Sequence, residues 1–259
     1  MKDRGDWPVV CFPLGSTPFP MRISERPSPN FDARSGGADM LILHYTGMKS
    51  AEEALVRLTS PESRVSAHYL IDEDGSVIRL VAEDKRAWHA GVSSWRGRTD
   101  INGASIGIEL VNPGHEWGYR NFPDKQIAAL EELCRGILQR HPIPARQVLG
   151  HSDVAPGRKD DPGELFDWRR FAKAGVGLWP DFGAATPVPK GGLAELRQNL
   201  IAFGYACPEP EVPDDSFAET VRAFQLHFRP ELCNGAPDDE TQRRAAIIAS
   251  AAPDVRSKT

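Results

Sequence analysis

The chain has neither a long hydrophobic run nor an excess of positive charge. Its 259 residues include 31 Lys and Arg against 36 Asp and Glu, which gives a net charge of -5. A helix that crosses a membrane needs about 20 consecutive apolar residues, so the sequence predicts no membrane span. Proteins that bind nucleic acid usually carry a basic stripe, so we expect no nucleic-acid partner.

Cysteine is also scarce. The four cysteines, at positions 11, 134, 207 and 233, form no C-x-x-C pair of the kind that binds zinc or exchanges disulfides. We expect free thiols, although a bridge between Cys207 and Cys233 stays open. The residues after Met1 mix acids with bases, and no apolar signal segment follows them. This pattern favours the cytoplasm, with the periplasm as the alternative if Met1 is not the natural start.

The apolar pattern indicates both strands and helices. Short apolar runs predict strands over 40–45, 67–71, 77–81, 105–111 and 148–149. Ser50 begins a capping box for a short helix, and Pro123-Asp124 precedes the longest helical stripe, which ends before Pro142.

Composition divides the chain into four segments. Residues 1–39 are rich in Pro, Ser, Gly and charge and predict an irregular N-terminal arm. Residues 40–180 contain the predicted strands, and 181–191 form a linker of Gly, Ala, Thr and Pro. In residues 192–259 the apolar positions follow helical spacing, which predicts a small domain of three helices.

The segment 150–163, GHSDVAPGRKDDPG, has five charged side chains and two prolines, which is unlike a buried strand or helix. We expect a loop that builds a site. His151 and Asp161 flank it, and His44 ends a predicted buried strand. Two imidazoles and one carboxylate leave the fourth position of Zn²⁺ free for water, as in catalytic sites. The alternative is that His44 is a core histidine and the loop is plain surface.

Two further charged residues fit such a site. Glu109 is the single acid inside a predicted strand, where a charge is costly unless it is paired or faces a cavity. Alternation places it on the same face as Gly107, where it could act as a general base; a salt bridge with a neighbour such as Arg64 is the alternative. Lys159 lies two residues before Asp161 and could stabilise an oxyanion, or be an ordinary solvated lysine.

These segments form an ordered set of short motifs. In chain order they are HYT (44–46), VSAHYLI (65–71), RAWHAG (86–91), SIGIEL (105–110), GHSD (150–153) and GRKDDPG (157–163). Over roughly residues 38–175 the set resembles the zinc-dependent N-acetylmuramoyl-L-alanine amidases of the AmpD/AmiD type, the amidase-2 family. The resemblance implies an α/β fold with a central mixed sheet flanked by helices.

The same resemblance implies an activity and a site. The expected reaction is hydrolysis of the amide between N-acetylmuramic or 1,6-anhydro-muramic acid and L-alanine in muropeptides or peptidoglycan, in cell-wall recycling. By this resemblance His44, His151 and Asp161 bind one Zn²⁺ per chain, Glu109 is the catalytic acid/base and Lys159 stabilises the transition state. His68, Trp88 and His89 are expected near the cleft, either in contact with the substrate or behind the metal ligands, and Arg158 is expected to bind the substrate.

The C-terminal segment resembles a peptidoglycan-binding module of three helices, although residues 208–215 replace its usual short Gly/Asp loop. We expect a monomer with a muropeptide or peptidoglycan substrate. Two alternatives stay open at this point: a metal-free peptidoglycan-recognition protein on the same scaffold, and a periplasmic amidase that acts on polymeric peptidoglycan.

Overall fold

The computed structural model describes residues 23–183, 187–209 and 215–251. Within these ranges the chain forms eight strands and nine α-helices. The strands are β1 (Ile23–Glu25), β2 (Phe31–Ala33), β3 (Met40–Tyr45), β4 (Tyr69–Ile71), β5 (Val77–Arg79), β6 (Lys85–Ala87), β7 (Ser105–Leu110) and β8 (Val148–Gly150). Six of them form one sheet in the order β1-β5-β4-β7-β3-β8, and β2 pairs with β6 in a separate antiparallel ribbon.

The large sheet is mixed, as the sequence predicts. Strands β4, β7, β3 and β8 run parallel to one another, whereas β5 is antiparallel to β4 and parallel to β1. Parallel strands bring their carboxyl ends to one edge of a sheet, where ligands commonly bind. This edge carries the candidate site.

The helices pack on both faces of the sheet. They are α1 (Ala51–Thr59), α2 (Ile101–Ala104), α3 (Gly114–Trp117), α4 (Asp124–Arg140), α5 (His151–Val154), α6 (Trp168–Lys173), α7 (Gly192–Phe203), α8 (Ser216–Phe228) and α9 (Asp239–Ala251). Ser50 caps α1 as predicted, because its hydroxyl accepts from the backbone N–H of Glu53. In the described ranges, no helix combines the length and the apolar character needed to cross a membrane.

Two short strands lie where the sequence predicts an irregular arm. Strand β1 pairs with β5 at the edge of the large sheet, and β2 pairs with β6. The side chains of both strands are exposed, so hydrophobic alternation gives no signal for them. Residues 1–22 of the predicted arm lie outside the described part of the chain.

Strand β3 divides the core between its two faces. Leu41 and Leu43 pack on the side of α4, in a cluster with Leu130 and Ile137. Each large apolar side chain that is fully buried in this way contributes roughly 1.5–3 kcal/mol to stability. His44 follows Ile42 on the opposite face because side chains alternate along a strand.

That opposite face is covered by the last three helices, α7, α8 and α9, which we call the C-terminal helical unit. Trp95 and Leu149 share one hydrophobic cluster with Phe203, Phe224 and Phe228 of this unit. The helices therefore complete the core of the sheet. In the described ranges Cys134, Cys207 and Cys233 are free thiols, so no bridge joins Cys207 to Cys233.

Candidate metal centre

Three side chains from distant parts of the sequence meet at the carboxyl edge of the sheet. His44 lies near the end of β3, His151 is the first residue of α5 directly after β8, and Asp161 lies ten residues further on. His44 Nδ1 is 2.9 Å from His151 Nδ1 and 3.0 Å from Asp161 Oδ2, and His151 Nδ1 is 3.1 Å from the same oxygen. All three side chains are buried.

These separations suit a small metal ion. Ligand atoms about 2.0–2.2 Å from a tetrahedral Zn²⁺ lie roughly 3.3 Å from one another. The three observed separations of 2.9, 3.0 and 3.1 Å are a few tenths of an ångström shorter. A metal ion can bind here only if the ring nitrogens that face the centre carry lone pairs. The hydrogen bonds on the far side of each ring decide whether those nitrogens are protonated.

A chain of hydrogen bonds leaves Nδ1 of His44 unprotonated. The Ser105 hydroxyl donates to the Ile101 carbonyl at 2.6 Å and so accepts from His89 Nε2 at 3.2 Å. His89 Nδ1 then carries a lone pair and accepts from His44 Nε2 at 3.0 Å. With its proton on Nε2, the neutral ring of His44 presents a lone pair on Nδ1.

The far side of His151 gives the same result. Its Nε2 lies 3.0 Å from the Ala90 carbonyl, which can only accept a hydrogen bond. The Arg158 guanidinium donates to the same carbonyl at 2.6 Å, which explains why it lies 3.2 Å from His151 Nε2. The proton of a neutral His151 ring is therefore on Nε2, and Nδ1 faces the centre as a lone pair.

The pKa of His44 also indicates that its ring is neutral and can bind a metal ion. Burial and the neighbouring His151 lower the pKa of His44 to about 4, so its ring is neutral at pH 7. Asp161 adds a buried carboxylate whose Oδ2 lies 3.0 and 3.1 Å from the two Nδ1 atoms. Two neutral imidazoles and one carboxylate are a suitable donor set for Zn²⁺.

Glu109 lies beside this centre on β7, where it is the direct register partner of His44. It lines a cavity of about 510 Å³, and its buried Oε2 has no hydrogen-bond partner among the described residues. Burial first, and then the charge of Asp161, raise the pKa of Glu109 well above its ordinary value. The structure shows no salt bridge between Glu109 and Arg64 in the described ranges, so that alternative is wrong.

Lys159 is exposed and lines the same cavity. Its charge lowers the pKa values of both Glu109 and His44. The ammonium therefore faces the site rather than open solvent alone.

Of the four residues expected near the substrate, two line the cavity and two lie outside its wall. Trp88 and His89 line the cavity, but both ring nitrogens of His89 are engaged by His44 and Ser105. His68 is not part of the cavity wall, because its fully buried ring accepts from the Gly107 N–H at 2.9 Å. Arg158 lies behind His151 and holds backbone carbonyls. Neither His68 nor Arg158 lines the cavity, and their expected contact with the substrate stays a prediction.

One wall of the cavity was not predicted from the sequence. The Tyr45 hydroxyl is 2.9 Å from His115 Nδ1, and His115 Nε2 is 3.0 Å from a carboxylate oxygen of Glu164. The exposed Trp117 ring lies nearby, with the Lys49 ammonium 4.1 Å from its centroid. Tyr45 and His115 are 70 positions apart in the chain, and His115 and Glu164 are 49 positions apart. The best signal was Tyr45, which directly follows a predicted metal ligand.

Known proteins are similar to this chain in sequence and fold. The family model for N-acetylmuramoyl-L-alanine amidases, Amidase_2, matches residues 34–164. The N-acetylmuramoyl-L-alanine amidase AmiD of Escherichia coli is 40% identical over 231 residues, which cover 81% of each chain. The 1,6-anhydro-N-acetylmuramyl-L-alanine amidase AmpD of the same organism is 38% identical over 164 residues, which cover 56% of this chain and 87% of AmpD.

Two solved structures agree with these relatives. AmiD of E. coli in complex with anhydro-N-acetylmuramic acid-L-Ala-D-γ-Glu-L-Lys superposes with a TM-score of 0.74 at 36% identity, over 85% of this chain and 92% of AmiD. AmpDh3 of Pseudomonas aeruginosa, in complex with an anhydromuramic pentapeptide, superposes with a TM-score of 0.75 at 34% identity, over 95% and 100% of the two chains. The chain belongs to the Amidase_2 family of N-acetylmuramoyl-L-alanine amidases.

Proposed function

We propose that this chain is a zinc-dependent amidase that hydrolyses the bond between the lactyl group of N-acetylmuramic or 1,6-anhydro-N-acetylmuramic acid and L-alanine. The observation that carries the proposal is the convergence of three lone-pair donors beside Glu109, whose buried Oε2 has no hydrogen-bond partner in the described part of the chain. Two similar enzymes were solved with anhydromuramyl peptides bound, which supports the same substrate class here.

His44, His151 and Asp161 would hold the ion. A Zn²⁺ there supplies Lewis acidity toward the amide carbonyl and acidifies water. Glu109 takes the proton from the attacking water and later delivers it to the leaving nitrogen of L-alanine. A C–O bond forms and the amide C–N bond breaks, which leaves a lactyl carboxylate and a free amine.

Lys159 and Trp88 complete the cleft in this proposal. The Lys159 ammonium lies on the cavity wall, where it stabilises the negative charge that develops on the amide oxygen. The Trp88 ring is held by a 2.7 Å hydrogen bond from its Nε1 to Asp32 and presents an apolar surface to the substrate. His89 acts through His44 and Arg158 through His151, as positioning residues.

Compartment, oligomeric state and glycan binding stay predictions. The expected cytoplasmic location is tested by fractionation of the native host, where recovery with periplasmic material would favour the polymer-directed alternative. A monomer is tested by light scattering. Binding of the C-terminal helical unit to peptidoglycan is tested by sedimentation of the full chain with purified sacculi.

One paired measurement tests the proposed activity. Metal analysis of the purified protein should find one zinc per chain, and mass spectrometry should show that anhydro-muramyl tripeptide is cut to the free tripeptide. The His151→Ala variant is the control and should lose both zinc and cleavage. A wild-type protein that binds muropeptide without zinc and without cleavage would establish the recognition-protein alternative instead.

A further inference from the structure

Asp153 is a buried carboxylate two residues after the metal ligand His151. Its side chain has no exposed surface. One carboxylate oxygen, Oδ2, accepts from the Gly150 backbone N–H at 2.8 Å and from His227 Nδ1 at 2.7 Å, and the other accepts from the Tyr205 hydroxyl. A carboxylate in such a place is stable only while its hydrogen bonds are made.

Both side-chain donors to Asp153 come from the C-terminal helical unit. Tyr205 follows α7, and His227 lies in the last turn of α8. The His227 ring stacks on Trp168, with centroids 3.7 Å apart, and the Tyr205 ring packs edge-on against Trp95. The packing fixes both donors, so the position of Asp153 is set by the unit.

A second contact ties α8 to the other end of the same segment. Arg222 of α8 forms an ion pair with Asp160, the residue directly before the ligand Asp161. This pair is about one-third exposed and is therefore the weaker contact. Together the two contacts hold α8 beside both metal ligands that the segment 150–163 supplies.

We infer that the C-terminal helical unit is part of the metal centre: Tyr205 and His227 position His151 through the buried carboxylate of Asp153. The inference rests on the proposed zinc function. Removal of either donor leaves a buried acceptor short of a partner, and the segment that carries His151 must shift to satisfy it. Loss of an outer partner of a metal ligand typically weakens metal binding by about 10–100-fold.

Zinc affinity, measured without substrate, tests this inference. The full chain is stripped of metal and titrated with Zn²⁺ against a chelator of known affinity. The Tyr205→Phe variant keeps the ring and loses the hydroxyl, and we expect its Kd for zinc to rise about tenfold. His227→Leu should behave likewise, whereas His227→Asn, although smaller, keeps an N–H donor near the place of Nδ1 and should recover most of the affinity.

Thr241→Val is the matched control. Thr241 is fully buried, and its hydroxyl contacts Gln225 and Arg229 inside the unit, not Asp153. We expect this variant to unfold at a lower temperature and to bind zinc as the wild type does. A purely structural role of the unit would give Tyr205→Phe and Thr241→Val the same zinc affinity, and that result would overturn the inference.

Failure of the inference can be told apart from failure of the proposed function. A wild-type protein that takes up no zinc would overturn both. A wild-type protein that binds zinc, with unchanged Kd in Tyr205→Phe and His227→Leu, would overturn only the positioning role. If His227→Leu does not fold, Tyr205→Phe alone decides, because it removes a single hydroxyl group.

Discussion

The Nδ1 atoms of His44 and His151 lie 2.9 Å apart, and hydrogen bonds on the far side of each neutral ring leave both atoms unprotonated. Two lone pairs at this distance repel each other, and the Asp161 carboxylate adds a third acceptor. A cation between them turns the repulsion into three attractive contacts. The hydrogen bonds behind the rings therefore matter as much to metal binding as the ligands do.

The Ser105→Ala variant tests that relation. Without the Ser105 hydroxyl, His89 loses the acceptor for its Nε2 proton, and nothing then forces His44 to keep its own proton on Nε2. We expect the Kd for zinc to rise about tenfold, measured by chelator competition, and the ¹⁵N spectrum of the zinc-stripped protein to show a changed His44 tautomer. Ser93→Ala is the control, because among the described residues that buried hydroxyl contacts only the Gly91 carbonyl. An unchanged tautomer would contradict the chain of hydrogen bonds.

Glu109→Gln separates proton transfer from metal binding. The amide keeps the size of the side chain but cannot take a proton from water. We expect full zinc occupancy and a fall in kcat of about 10²–10⁴-fold, measured on anhydro-muramyl tripeptide by mass spectrometry. Glu73→Gln, which removes an exposed partner of Arg120, is the control and should keep wild-type turnover. Wild-type turnover in Glu109→Gln would mean that another group is the base.

Local sequence signals predicted the frame that carries the site. The apolar run over Met40–Tyr45 is a strand with the predicted bounds, and the capping serine at Ser50 begins α1. The apolar stripe after Pro123 is α4. Each of these signals depends on residues within one element, so a single sequence contains it. The same holds for Glu109, whose charge inside a strand indicated a cavity.

The segment 150–163 shows why other features could not be predicted. Its composition predicted a loop that builds a site, yet residues 151–154 form helix α5 and residues 151–155 are buried. The reason is that Asp153 finds its partners 52 and 74 positions away in the chain. The sequence shows that Asp153 carries a charge, but it does not show which distant groups form hydrogen bonds with it. For the same reason the sequence did not show that His68 and Arg158 form hydrogen bonds with backbone groups.

Gly107→Ala tests the close approach of β7 and His89. A Cβ atom at position 107 would lie 2.5 Å from the His89 ring, so the ring must move away from His44. We expect weaker zinc binding and a loss of about 1–3 kcal/mol in the free energy of unfolding, measured by chelator competition and urea denaturation. Gly136→Ala in helix α4 is the control; its Cβ meets only the end of the Arg140 side chain at 3.2 Å. Alanine favours a helix over glycine, so this control should not destabilise.

The lowered pKa of Glu83, which lies outside the candidate site, predicts that stability depends on pH. Burial by itself raises the pKa of Glu83, but hydrogen bonds from Arg140, His141 and Tyr69 outweigh it and lower the pKa to about 2 from an ordinary value of 4.5. A carboxyl group with a depressed pKa stabilises the fold above its unfolded pKa, and this contribution is lost as the pH falls through the folded value. The relevant window for Glu83 therefore runs from about pH 4.5 down to about pH 2.

Comparison of the wild type with Glu83→Gln measures this contribution. With allowance for partial exposure, we expect the wild type to be more stable by roughly 1–2 kcal/mol at pH 6. The difference should shrink steadily between pH 4.5 and pH 2, in urea unfolding curves taken at each pH. Glu132→Gln, on the same helix as Arg140 but without an ion pair in the described ranges, should show no such trend. A constant difference across this window would mean that the three donors do not depress the pKa of Glu83, because a group with the same pKa in the folded and unfolded states adds no pH dependence to stability.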